Sequence, residues 1–311
     1  MKWIISESSD VFYNLALEEF LCKNIDKENC FILWINEASV IVGRNQNIFE
    51  EVNVDEAVAG GITLARRNSG GGTVFHDRGN INFSMIRDFN ADTADQYEEF
   101  LLPVINMLHS LGIPAFKRNK SDIAILDNKI SGNAQMIKNK RIVHHGTLLF
   151  NADLKKMKKY IKNDSSAYSS KAVKSVRSSV TNISLYTDIT IEEFKNYIID
   201  YFCRGGEEIY LGREEKQLIS RETKSLKSWE WVIGKSPDFT VRETFFYGGS
   251  PLEAELFVEK GIITGVKADF AGKALDLERL GILQNRYCNK RYSEGFAREV
   301  LEKSRDIFEQ I

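Results

Sequence analysis

Residues Arg66-Arg67-Asn68-Ser69-Gly70-Gly71-Gly72-Thr73-Val74-Phe75-His76-Asp77, followed by Gly79-Asn80-Ile81-Asn82-Phe83-Ser84, concentrate more chemistry than any other stretch of the chain. Three consecutive glycines bare the backbone, so an anionic ligand can approach main-chain N–H groups directly. The two arginines upstream carry planar donor forks suited to phosphate or carboxylate. No Gly-Lys-Ser/Thr follows at Walker spacing and no Gly-x-Gly-x-x-Gly opens a helix, which separates this stretch from P-loop and dinucleotide-binding folds. Thr73 to His76 are β-branched and aromatic, so the glycines lead into a strand. A Gly-rich hairpin turn with two surface arginines would also account for the stretch on its own.

A second group lies between Asp122 and Leu149. The apolar run Asp122-Ile123-Ala124-Ile125-Leu126 turns at Asp127-Asn128 into Lys129-Ile130-Ser131-Gly132-Asn133-Ala134-Gln135, a hairpin that presents a lysine. The next strand, Ile142-Val143-His144-His145-Gly146-Thr147-Leu148-Leu149-Phe150, adds two histidines and a glycine. Neither histidine belongs to a metal site, because no His-Glu-x-x-His and no cysteine pair accompanies them.

These groups need a scaffold. An amphipathic helix from about Asp10 to Asn24, capped by Asp10, precedes strands near 31–35, 38–42, 62–67, 73–76 and 81–86. A helix near 96–110 ends at Gly112, strands follow at 122–126, 129–132 and 142–150, and helices at 153–162 and 191–203. This irregular α/β (α+β) alternation argues against a doubly wound sheet. Near Pro237-Asp238-Phe239 the character changes, and two alternating strands, Leu252 to Val258 and Ile262 to Phe270, join at Lys260-Gly261. The expected division is 1–240 and 241–311.

Composition is that of an ordinary cytoplasmic enzyme: 311 residues, 43% hydrophobic, formal net charge −2. No apolar run approaches the ~20 residues a bilayer span requires, and no basic-then-apolar leader opens the chain. The four cysteines, Cys22, Cys30, Cys203 and Cys288, show no Cys-x-x-Cys pairing, so neither a disulfide framework nor a zinc site is expected.

Taken together, Arg67-x-Ser69-Gly-Gly-Gly-Thr-Val-Phe-His-Asp, Lys129-Ile-Ser-Gly-Asn-Ala and His145-Gly-Thr-Leu-Leu resemble lipoate–protein ligases in order and spacing. Gly43-Arg44-Asn45-Gln46-Asn47, Lys174-Ser175-Val176-Arg177-Ser178-x-Val180-Thr181-Asn182 and Trp229-x-Trp231-x-x-Gly234-Lys235-Ser236-Pro237-x-Phe239 extend the likeness along essentially the whole chain. The resemblance implies a catalytic domain of the kind shared with biotin–protein ligases and class II aminoacyl-tRNA synthetases, followed by a small α+β C-terminal lid domain. It also implies a reaction in which lipoate and MgATP give lipoyl-adenylate, and the lipoyl group then passes to a lysine of an acceptor domain. The acceptors would be E2 subunits of 2-oxoacid dehydrogenases or the glycine cleavage H protein. The enzyme would be monomeric, bind no nucleic acid and touch no membrane.

By the same resemblance Lys129 is the catalytic residue, bridging the lipoyl carbonyl and the α-phosphate. ATP would lie on Arg67, Gly72, Thr73, Val74, Phe75, Asn80, Lys129, Ser131 and Ala134. Lipoate would lie on Arg67, Ser69, Gly71, His76, Lys129, His145 and Gly146, and Asp122 would be the carboxylate for Mg²⁺. The sequence departs from the family at Lys120-Ser121-Asp122, where Arg-Asn-Asp is usual, so a hydroxyl replaces an amide.

Two rival readings stand beside this one. An ATP-independent octanoyl or lipoyl amidotransferase would need a thiolate near Lys129, and no cysteine occurs between Cys30 and Cys203. An RNA-binding module on the same fold would use the run from Lys155 to Arg177, which holds eight basic residues against one acid, Asp164. That run lacks the interleaved aromatics of a stacking platform. A solvated helix face is its plain reading, and steering of acidic lipoyl domains is the functional one.

Overall fold

The computed structural model describes residues 1–25, 27–93 and 95–304. Its main sheet has eight strands in the order β12 (Glu207–Glu208), β1 (Lys2–Ile5), β2 (Cys30–Trp34), β6 (Asn80–Asp88), β10 (Arg141–Leu149), β9 (Asn128–Lys138), β8 (Asp122–Ile125) and β7 (Phe116–Lys117). β12, β1 and β2 run parallel and the remaining pairings are antiparallel. Every residue of β2 and β10 is buried, as expected of strands covered on both faces.

On one face Phe31, Leu33, Ile81, Phe83 and Ile123 pack against helices Glu98–Ser110 and Ile191–Cys203. On the other lies helix Val11–Asn24, whose N-terminus is capped by Asp10 accepting from Phe12 N and Tyr13 N. The same side carries a three-stranded sheet of β4 (Thr63–Arg66), β3 (Ser39–Val42) and β5 (Val74–His76). Most of the expected site residues line the space between these two sheets.

One hairpin differs from the sequence expectation. Its turn is Leu126–Asp127, with Leu126 at φ 50°, and β9 continues to Lys138 instead of stopping at 132. Ala124 pairs with Lys129 but Ile123 pairs with Ser131, so Ile130 is an extra, bulged residue. Strand side chains alternate between faces, and this bulge flips the alternation once. Lys129 therefore shares the inter-sheet face with Gly132 and Ala134, while Ser131 turns to the opposite layer. Helices Arg213–Leu226 and Trp229–Val232 add to the expected elements.

The second large sheet is β11 (Tyr168–Ser170), β13 (Phe239–Tyr247), β14 (Ser250–Glu259), β15 (Ile262–Phe270) and β16 (Lys273–Ala274). Lys260 and Gly261, both at positive φ (48° and 75°), make the two-residue turn between β14 and β15. β11 belongs to the segment after Lys162 and pairs with β13, so the chain before residue 200 lends a strand to this sheet. Lys162 Nζ reaches Glu294 across the same junction, and Tyr168 donates to Glu294 at 2.7 Å. No helix among the described residues is long and apolar enough to cross a membrane.

Candidate active site

Two adjoining cavities of about 420 and 430 Å³ open between the sheets and meet at Lys129. The floor of the first is a single cross-strand row. Trp34 pairs with Asn82, Asn82 with Thr147 and Gly132 with Asp122. Gly132 N donates to Thr147 Oγ1 at 3.1 Å and joins the two halves. All five line the cavity, which therefore spans four strand spacings, about 19 Å at ~4.8 Å each. Its roof is Ile41, Val74 and His76 with the Gly71-Gly72 loop. The second cavity shares Thr73, Val74 and Lys129 with the first and extends to Phe75, Met157, Lys158, Ile161 and Arg177.

Lys129 Nζ sits 2.8 Å from Asp122 Oδ1, and the carboxylate is 94% buried. A Cβ on residue 132 would lie 2.7 Å from Lys129 Cε and Nζ, so a side chain there would push the lysine tip off the row. Ser175 closes the cavities from above. Its Oγ accepts from Thr73 N at 2.9 Å and from Gln46 Nε2 at 3.0 Å and donates to Glu51 Oε2. Lys129 N donates to Ser179 O and Lys129 O accepts from Thr181 N, which stitches the 175–181 segment to the lysine's own strand.

The two arginines differ: Arg67 lines the first cavity and Arg66 does not. Arg66 is fully buried, and its guanidinium donates to the carbonyls of Gly43, Arg44, Gln46, Trp231 and Val232 and to Ser236 Oγ at 2.7–3.2 Å. Arg67 lines the cavity, but it donates to Ser69 Oγ and to the carbonyls of Ile41, Gly70 and Gly72. These N–H groups are spent on folding the glycine loop, with Gly71 at φ 87°, and Arg66 cannot face a ligand at all. The charge of Arg67 is not neutralised by these neutral acceptors and stays at the cavity, beside the loop's amides, Lys129, Lys120 and Lys174, which border it.

Of the remaining expected site residues, Gly71, Gly72, Thr73, Val74, His76, Asp122, Ala134, His145 and Gly146 line the first cavity, and Phe75 the second. Ser69, Asn80 and Ser131 line neither. Ser69 is buried behind the loop, joined to His145 Nε2 at 2.7 Å. Asn80 is fully buried, with Nδ2 on Asn82 Oδ1 and Oδ1 without a partner. Ser131 Oγ accepts from Asn133 Nδ2 on the far face, where His144 stacks on Phe100 with ring centroids 4.7 Å apart. The usual Arg and Asn, displaced from the positions just before Asp122, are present two residues earlier. Arg118 Nη2 stands 3.6 Å from Asp122, and Asn119 lines the cavity.

Sequence reasoning missed Glu18. Its carboxylate holds His145 Nδ1 at 2.9–3.0 Å and accepts from Ser84 Oγ at 2.6 Å. The partner lies 127 residues away, and a buried acid in an apolar helix gives no local signal. Asp122 is the one carboxylate that lines either cavity, and no group of three metal-ligating side chains exists among the described residues. No cysteine lines either cavity, and burial pushes the Cys22, Cys30 and Cys203 thiols up to about 11, 12 and 12. A thioester nucleophile has no candidate among them.

Burial, with Arg67 and His145 nearby, pushes His76 down to about 3, and burial likewise holds His144 well below its ordinary value. Below pH 6.5 the unfolded chain takes up protons that these rings refuse when folded. Stability from both rings is complete above that pH and falls below it, and for His76 the fall continues toward pH 3 at about 1.4 kcal/mol per pH unit. Urea unfolding at pH 7, 6 and 5 should show this decline, and His76→Asn should flatten it by one ring's share. An unchanged slope would mean the ring is protonated in the fold.

The lipoyl protein ligase A/B catalytic domain family matches residues 10–203. Over 305 residues the chain is 34% identical to lipoate-protein ligase LplJ of Bacillus subtilis, covering 94% of this chain and 91% of that protein. The chain belongs to the lipoate–protein ligase family. Among solved structures, lipoate-protein ligase A bound with ATP superposes on the ligase with a TM-score of 0.66 at 26% identity, covering 75% of this chain and 98% of that one. The bipartite ligase described with its E2 lipoyl domain from Thermoplasma acidophilum gives 0.66 at 25%, covering 75% and 96%. The ligase thus has the mixed α/β fold of these enzymes.

Proposed function

We propose that the first cavity receives lipoate and the second ATP, and that the chemistry happens at Lys129 between them. The observation that carries this reading is the position of Lys129 Nζ, shared by both cavities and ion-paired with Asp122. A lipoate carboxylate oxygen attacks the α-phosphorus, and pyrophosphate leaves. An acceptor lysine amine then attacks the acyl carbonyl, and AMP leaves with the carboxylate oxygen. Charge develops on the phosphoryl oxygens in the first step and on the carbonyl oxygen in the second. A compact ammonium with three donors can serve both.

Thr73 N–H and its neighbours in the glycine loop are the amides nearest this point. A phosphate oxygen reaching Thr73 N displaces Ser175 Oγ from it, so nucleotide binding must shift the 175–181 segment. Asp122 would hold Mg²⁺ with phosphate oxygens and water completing the shell, and the ion would neutralise phosphate charge. Residues 1–240 would form the catalytic domain and 241–311 a lid whose contact at Lys162 and Glu294 can open. The protein would act in the cytoplasm as a monomer, on E2 lipoyl domains or the glycine cleavage H protein. Lipoate-dependent exchange of pyrophosphate into ATP tests the activation step, and its absence would contradict it.

Seven of the eight basic residues between Lys155 and Arg177 are exposed; Lys162 is spent on Glu294. Lys158, Lys174 and Arg177 border the cavities, so the exposed run surrounds the site an acceptor must approach. Raising salt from 50 to 300 mM should weaken acceptor lipoylation about tenfold more than lipoyl-adenylate formation, because the steering charges are solvent-exposed and screened. Equal losses would sink the steering idea.

A further inference from the structure

The protonation of the His76 ring follows from its neighbours. A backbone carbonyl only accepts, so the group Asn14 presents to Ser8 O at 2.9 Å is its Nδ2. That Nδ2 also donates to Asn36 Oδ1 at 2.8 Å, which leaves Asn36 Nδ2 facing His76 Nδ1 at 3.0 Å. An amide nitrogen only donates. His76 Nδ1 is therefore an acceptor, and the proton of the neutral ring sits on Nε2. Asn14, Asn36 and His76 are 1%, 0% and 4% exposed, so water does not compete for this chain. His76 lines the first cavity, and its Nε2 is a buried donor with no partner. Buried donors without partners are rare enough to require an explanation.

The sheet register says which part of a ligand this donor meets. The His76 ring stands edge-on to Trp34 at 5.8 Å, at one end of the cavity floor. Lys129 Nζ lies over Gly132, three strand spacings or about 14 Å away along the row. With the carboxyl group held at Lys129, the distal end of the acyl chain arrives at His76. A plain fatty acyl tail offers no acceptor there. A dithiolane offers two sulfurs with lone pairs, weak acceptors that match a lone, dry N–H.

We propose that His76 determines specificity for the dithiolane, its Nε2–H donating to a ring sulfur. The preference arises from the gain with lipoate: the donor is already dry and unpaired without ligand, a ring sulfur pairs it, and a sulfur-free acid of the same shape leaves it as it was. The proposal rests on the reading of the first cavity as the lipoate site, and it adds the feature of lipoate that the site senses.

The test is pyrophosphate exchange with lipoate and with cyclopentylpentanoate, which keeps the ring and chain but has no sulfur. Wild type should favour lipoate about tenfold in kcat/KM. His76→Leu should lower the lipoate value about tenfold, change the carbocycle by less than about threefold and so erase the preference. His76→Gln, which restores an amide donor, should recover part of it. Equal kcat/KM for the two acids in wild type would overturn the proposal without any variant, and so would equal losses in His76→Leu. Absence of lipoate-dependent exchange in wild type would instead overturn the lipoate reading itself.

Discussion

Lys129→Ala should lower lipoate-dependent pyrophosphate exchange about 10²–10³-fold, with the fold intact. Removing a single preorganised donor from developing charge costs on that scale, and here one ammonium faces both cavities. The substitution is tolerated structurally because Lys129 is only part-buried and its partner Asp122 keeps Arg118 within 3.6 Å. Lys129→Arg should recover little. Its planar fork is larger than the compact ammonium and cannot take the same place beside Asp122 Oδ1 and over Gly132. Exchange in Lys129→Ala within about threefold of wild type, with circular dichroism unchanged, would remove the lysine from the activation step.

The largest stability effect should come from Arg66. Its guanidinium joins the carbonyls of residues 43–46 to those of 231 and 232, far apart in sequence, and no carboxylate among the described residues pairs with it. Arg66→Ala removes the guanidinium from five carbonyls and Ser236 Oγ; Gly43 O keeps Gln46 N and Ser236 Oγ keeps Ile48 N, and the others lose the donor that joins them. Hydrogen bonds to charged groups and buried unpaired acceptors each cost about 1–3 kcal/mol, and a network of this kind belongs with the large mutational losses of about 3–5 kcal/mol. For a chain of this size that is a fall of order 10 °C in Tm. Arg66→Lys should be intermediate, because one ammonium cannot span the same acceptors. A fall below about 3 °C for Arg66→Ala would mean that water or neighbouring groups satisfy those carbonyls.

The elements carrying strong local signals were legible in the sequence. Asp10 marks the first helix, Gly112 ends the helix after Glu98, and Lys260-Gly261 makes the turn between β14 and β15. The glycine loop, Lys129, Asp122, His76 and His145 were also recognisable as one constellation, and they line one cavity. What was not legible depends on distant partners. Arg66 read as an anion donor because its acceptor carbonyls lie at residues 43–46 and 231–232, which nothing local shows. The bulge at Ile130 decides which of Lys129 and Ser131 faces the cavity, and a register shift leaves no compositional trace. The pairing of Glu18 with His145 and the chain from Asn14 through Asn36 to His76 arise only when remote strands are brought together.

The central claim is that lipoate is activated as a mixed anhydride with AMP before transfer. Its most direct test uses lipoate labelled with ¹⁸O in both carboxyl oxygens, an acceptor lipoyl domain and a single turnover, with the AMP phosphate read by mass spectrometry. Attack of the carboxylate on the α-phosphorus predicts one labelled oxygen in AMP and one in the new amide. Unlabelled AMP alongside a lipoylated acceptor would contradict the account and require an acyl donor other than the adenylate.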